Sequence, residues 1–295
     1  MEAAITSGTT VRYQTVSIDG LDIFYREAGD PARPTILLLS GFPSGSQTFS
    51  RLMEELKDDF HLVAPDYPGF GHSEAPAATA FEYSFANLTN LLERWIDQIG
   101  LTGFTLYAHD YGGPIGFRIA ARRPELIEGL IVQNANAYME GIGPGFEAAM
   151  PFLQHRTPET EIPVRGLMTL DGVKVFYFTG AEDPTRINPD HYQFDALLLN
   201  RPGLADAHLN LLQSYTTNLA EYPTWQAYFR QHQPRTLLVW GKNDPFFPEA
   251  AARAFLTDLP EAELHLYNTS HFALEEYGRE IAANIRAFVN QLAVA

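Results

Sequence analysis

The residues best placed to do chemistry lie at 109–113, His-Asp-Tyr-Gly-Gly, directly after the aromatic and β-branched run Phe104 to Ala108. An apolar run that stops at a carboxylate and passes at once into glycines predicts a strand, a sharp turn and a helix. So tight a turn strains the backbone of its apex residue and lifts that side chain clear of the sheet edge. Its neighbours must then be small, as Ala108, Gly112 and Gly113 are. Asp110 is the candidate nucleophile, since a carboxylate already ionised at neutral pH can attack an electrophilic sp³ carbon without a base. The competing reading makes Asp110 only the cap of the helix beginning near Gly112. Two later loops carry matching groups, Asp244 within Gly241-Lys-Asn-Asp-Pro245 and His271 within Asn268-Thr-Ser-His-Phe272. The order nucleophile, acid, histidine suits an ester formed on Asp110 and then attacked by water that His271 deprotonates, with Asp244 holding the imidazole tautomer. Asn243 competes for the place of Asp244, and a surface histidine at a helix start competes for His271.

The elements that must carry these groups follow from patterning. Val11 to Ile18 and Leu21 to Glu27 alternate around Asp19-Gly20, a hairpin signal. Thr35 to Leu39 and His61 to Pro65 are continuous apolar runs, the mark of strands covered on both faces. Phe85 to Ile99 repeats Leu88, Leu91, Leu92, Trp95, Ile96 and Ile99 at helical spacing and stops at Gly100. Strands are expected again at Leu126–Val132, Thr236–Trp240 and Glu263–Tyr267, with helices at Pro248–Leu256 and Phe272–Leu292. Alternating strands and helices predict a mostly parallel, doubly wound sheet of eight strands, whose carboxyl ends hold Ser40, Asp110 and Asn134. Between these parts the rhythm breaks. Residues 1–136 and 235–295 are expected to form the core, and 137–234, uneven and dense in aromatic residues, an inserted helical lid. Residues 1–10 read as a loose end.

Composition narrows the function. The 295 residues carry a net charge of −16, so binding to nucleic acid or an anionic membrane is not expected, and a neutral small-molecule substrate is. With no cysteine, disulfides and thiolate metal sites are excluded, and no histidine pair has metal-ligand spacing. No run of eighteen apolar residues and no signal-like N-terminus is present, so a soluble cytoplasmic protein without cofactor or metal, monomer or homodimer, is expected. Gly69-Phe-Gly71 lacks the residues a phosphate loop needs. His109 is assigned no role.

Taken together, Gly-Phe-Pro at 41–43, Gly-Phe-Gly-His-Ser at 69–73, His-Asp-Tyr-Gly-Gly at 109–113 and Trp-Gly-Lys-Asn-Asp at 240–244 resemble the α/β-hydrolase fold from about residue 11 to 292. The resemblance is to its branch with an aspartate nucleophile, epoxide hydrolases and haloalkane dehalogenases, and is greatest to the epoxide hydrolases. It implies that the backbone N–H groups of Phe42 and Tyr111 form an oxyanion hole, each worth roughly 3 kcal/mol in the transition state. It also implies two lid tyrosines above Asp110 that protonate the epoxide oxygen. Tyr177 and Tyr215 fall in place for these, with Tyr192, Tyr222 and Tyr228 as substitutes. Haloalkane dehalogenases supply N–H donors to the halide, among them a Trp after the nucleophile, where this chain has Tyr111; a fluoroacetate dehalogenase would show an arginine near the nucleophile, where Tyr111 and Pro114 stand. Ser40 replaces a usual His, and Ala108 a usual Gly. The expected activity is hydrolysis of a neutral, fairly apolar epoxide to a diol. The rivals are a haloalkane dehalogenase and a repurposed cyclase or ligand-binding protein.

Overall fold

In the computed structural model, which describes residues 10–292, eight strands form one sheet: β1 (Arg12–Ile18), β2 (Leu21–Ala28), β3 (Thr35–Leu39), β4 (His61–Pro65), β5 (Phe104–His109), β6 (Ile127–Gln133), β7 (Thr236–Gly241) and β8 (Glu263–Tyr267). Apart from Thr10, the loose end expected over residues 1–10 lies outside the described residues. Spatial order is β1-β2-β4-β3-β5-β6-β7-β8. The hairpin β1/β2 and the pair β2/β4 are antiparallel, and all other pairs are parallel. All six residues of β5 are buried, which is why its sequence is mostly apolar and does not alternate in the manner of a half-exposed strand.

Register carries the carboxyl ends to one edge. Leu39 of β3 and Val132 of β6 both pair with Ala108, so the loops after the three strands open side by side. The Phe85–Ile99 helix starts at Ser84, whose side chain accepts from the Asn87 amide, and ends at Gly100 in the left-handed conformation. Its buried stripe includes Leu88, Leu91, Leu92, Trp95 and Ile96, each contributing ~1.5–3 kcal/mol by leaving water. Between β6 and β7 the chain forms a set of helices, Pro144–Glu147, Met150–Gln154, Pro158–Gly166, Leu170–Phe178, Pro189–Leu199, Leu204–Gln213 and Thr216–His232, that lies over the carboxyl edge of the sheet. Among the described residues no helix is long and apolar enough to cross a membrane.

Candidate active site

Asp110 sits at the turn between β5 and the Gly112–Arg122 helix with φ at 51°, a left-handed backbone that a non-glycine residue adopts only under constraint. The constraint is close packing on both sides. A Cβ added at Gly41 would lie 2.2 Å from Asp110 Oδ1, and one at Gly112 would lie 2.2 Å from the Leu39 carbonyl oxygen. The backbone amides of Phe42 and Tyr111 each donate to Asp110 Oδ1 at 2.6 Å. Oδ2 stands 3.8 Å from Nε2 of His271. The two carboxylate oxygens are thus unlike: one is pinned by two N–H dipoles, and the other faces an imidazole across a gap.

His271, fully buried, is held from its far side by Asp244, whose Oδ2 lies 2.7 Å from Nδ1. Asp244 is in turn fixed by the Phe246 amide (2.8 Å) and by Nδ2 of Asn134 (2.8 Å), a residue after β6 that also bridges to both backbone groups of Gly241. Asn243 points away, donating to the carbonyl of Gly180. His271 Nε2 has no protein hydrogen-bond partner. Burial pushes the Asp110 carboxyl up to about 6, against the opposing pull of His271 and the two amides. Burial works against the His271 imidazolium, yet Asp244 and then Asp110 outweigh it, so its pKa is raised above the ordinary histidine value.

Asp110 helps line a cavity that residues of the helices between β6 and β7 also enclose, with Phe42, Tyr111, Phe146, Met168, Phe176, Leu212, Tyr215 and Phe246 among its walls. Tyr215 is buried with its hydroxyl unpartnered, its ring 6.4 Å from that of Tyr111. Burial first, then the nearby Tyr222, pushes its pKa well above 10, so the phenol stays protonated. Tyr177 corrects the expectation of a second tyrosine over Asp110. Its hydroxyl donates to Asp195 Oδ2 at 2.6 Å and its ring stacks on Phe272, while the preceding residue, Phe176, lines the cavity. One step along a helix turns the side chain by about 100°, and that turn takes Tyr177 off the cavity wall. Tyr222 accepts from Asn136, Tyr192 packs on Tyr177 and Phe178, and Tyr228 packs on Phe229; none of the three lines the cavity.

Sequence reasoning left out two polar residues. His208, on the Leu204–Gln213 helix, lines the cavity with Nε2 unpartnered. Asp195, fully buried on the Pro189–Leu199 helix, accepts from Tyr177, Ser44 and Gln47. Both sit on helices that carry several other polar residues, so nothing in the local sequence singles them out. Ser40 keeps its hydroxyl buried without a partner, and Tyr67 instead braces the loop by donating to the Ser40 carbonyl. Among the described residues there is no His, Cys, Asp and Glu cluster able to hold a metal ion.

The comparisons with known proteins agree with this frame. The family model described as alpha/beta hydrolase fold matches residues 34–277. An uncharacterised hydrolase of Saccharomyces cerevisiae is 34% identical over 291 residues, covering 95% of this chain and 97% of its own. Epoxide hydrolase 4 of Mus musculus is 35% identical over 122 residues, covering 41% and 34% of the two chains. A haloalkane dehalogenase of Mycolicibacterium paratuberculosis is 28% identical over 284 residues, covering 92% and 89%. The chain belongs to the α/β-hydrolase fold family and is a hydrolase of the epoxide hydrolase and haloalkane dehalogenase type.

Proposed function

We propose that the protein hydrolyses neutral, fairly apolar epoxides to diols through an ester on Asp110. The observation that carries this is the division of labour between the two oxygens of that carboxylate, one held by the Phe42 and Tyr111 amides and the other unbonded toward the cavity and His271. Oδ2 attacks an epoxide carbon, the ring C–O bond breaks, and the departing alkoxide takes the Tyr215 proton. A phenol kept neutral by burial suits that task, because the alkoxide is the stronger base. The ester carbonyl oxygen is then Oδ1, already seated where negative charge develops when water attacks, so the amides need no rearrangement. His271 takes the proton of that water while Asp244 stabilises the imidazolium; the tetrahedral intermediate then breaks its bond to the alkyl oxygen, which leaves as the diol with the imidazolium proton, and the proton on the regenerated Asp110 carboxyl returns to the Tyr215 phenolate. Tyr215 acts as the single lid acid here, with Phe176 in place of a partner hydroxyl.

The rival reading, a haloalkane dehalogenase, draws on the Mycolicibacterium relative but lacks the tryptophan N–H donor to the halide that such enzymes carry after the nucleophile. Tyr111 stands after the nucleophile, and the chain's three tryptophans, Trp95, Trp225 and Trp240, are buried away from the cavity. The test uses His271→Gln, which keeps the nucleophile and removes the base. Incubated with styrene oxide and, separately, with 1-bromohexane, the variant is expected to accumulate on Asp110 the full mass of the epoxide, read by peptide mass spectrometry. A hexyl adduct with bromide release and no epoxide adduct would overturn the reading in favour of dehalogenation.

A further inference from the structure

His208 is 3% exposed, lines the cavity that holds Asp110, and has no hydrogen-bond partner at Nε2. Its ring is wedged edge-on against Phe70 at 4.9 Å and Phe42 at 6.0 Å, both apolar. The remainder of that wall is aliphatic or aromatic, and the helix bearing His208 packs through Leu204, Ala207, Leu209 and Leu211. A leucine at 208 would pack there without stranding a polar atom. A ring nitrogen desolvated and left unpaired lowers stability, so packing gives no reason for a histidine here. Its position is also distinct from that of Tyr215: His208 faces Phe42 and Phe70, whereas Tyr215 faces Tyr111, Phe85 and Phe146.

We propose that His208 is a specificity-determining residue, whose Nε2 pairs with a hydroxyl group that the substrate carries a short distance from its reacting carbon. A hydroxyl both donates and accepts, and so satisfies either imidazole tautomer. An anionic substituent is disfavoured, because burial and then Arg201 push the His208 pKa down to about 3 and leave the ring uncharged at working pH. The favoured class is therefore epoxy alcohols. The assignment rests on Asp110 acting on epoxides, and its test separates the two.

The ratio of kcat/KM for trans-2,3-epoxyhexan-1-ol to that for trans-2,3-epoxyhexane is measured for the wild type, His208→Leu and His208→Gln. A second measurement gives the affinity of the corresponding triol relative to the diol, by calorimetry. The wild type is expected to favour the hydroxylated partner about tenfold in both, the size of one well-made neutral hydrogen bond. His208→Leu should bring both ratios near one, and His208→Gln, which keeps a polar group there, should retain part of the preference. Epoxide turnover with ratios that do not depend on residue 208 overturns the role of His208 and leaves the epoxide reading intact. No epoxide turnover with a triol preference lost in His208→Leu overturns the epoxide reading and leaves His208 as the hydroxyl contact. Neither turnover nor a preference overturns both.

Discussion

At the scale of single residues, Asp110 and His271 form a pair whose charges answer one another. In the resting site each favours the charged form of the other across 3.8 Å, which raises the histidine and offsets part of the burial that raises the carboxyl. In the proposed mechanism, alkylation removes the carboxylate charge, and with it one support for the imidazolium. The pKa of the histidine then falls, which favours the neutral imidazole that a base requires. The first step depends on ionised Asp110, whose pKa lies at about 6. Single-turnover alkylation should therefore be flat at neutral pH and fall about tenfold per unit below pH 6, as the carboxylate takes up its proton. Rapid-quench measurements between pH 4.5 and 8 check this. A rate that stays level down to pH 5 would place the carboxyl in its ordinary range and contradict the desolvated site.

At the scale of elements, the lid helix following Tyr215 is tied to the helix following Asp110 by one buried cation. Arg118 donates to Asn218 Oδ1 at 2.7 Å and to the Pro114 carbonyl at 3.0 Å, and lies 5.2 Å over the Trp225 ring. The backbone N–H of Asn218 in turn donates to the Tyr215 carbonyl at 2.8 Å. The two helices that follow Asp110 and Tyr215 are thus tied together. Asn218→Ala should cost ~1.5–3 kcal/mol, since it leaves a charged group short of an acceptor, and should slow ring opening more than ester hydrolysis. In an Arg118→Met background the same substitution should cost much less. Denaturant melts of the four proteins give the coupling, and equal costs in both backgrounds would show that Arg118 is only a packing residue. Much of this architecture was legible beforehand where local signals agree: Ser84 and Gly100 bracket their helix, and buried runs mark β3, β4 and β5. The lid was not. In Phe176-Tyr177-Phe178 every side chain is apolar or aromatic, so sequence gives no phase, and only packing decides that Phe176 meets the cavity and Tyr177 meets Asp195. The Thr216–His232 helix carries Pro223 inside it, a signal that argues against a helix locally and is overridden by tertiary contacts.

At the scale of the whole molecule, the helices between β6 and β7 are joined to the rest of the chain by polar links, and one of these, at Asp195, responds to pH. Glu276 accepts from the Asp183 amide at 2.6 Å, Glu275 from the Asn188 amide at 3.0 Å, and Ser270, beside His271, donates to the Tyr177 carbonyl at 2.7 Å. Asp195 is the innermost link, joining the lid to Ser44 and Gln47 just beyond the Phe42 amide that holds Asp110. Burial pushes its carboxyl up to about 7, although Tyr177, Gln47 and Ser44 all donate to it. Because the folded pKa lies above the unfolded one, the unfolded chain releases this proton near pH 4 while the folded chain keeps it until about 7. Stability accordingly falls as pH rises through that window, by an amount on the order of 4 kcal/mol once the pH is above 7. Asp195→Asn removes the charge but keeps the shape: its Oδ1 still accepts from Ser44 and Gln47, and its Nδ2 can donate to the Tyr177 oxygen. The variant should gain several degrees in Tm relative to the wild type at pH 8 and little or nothing at pH 4.5, measured by differential scanning calorimetry in matched buffers. A difference in Tm that is the same at both pH values would mean that Asp195 is charged throughout, with its three donors outweighing burial. The helices between β6 and β7 would then be held at Asp195 by charge-assisted hydrogen bonds rather than by a link that loosens as the pH rises.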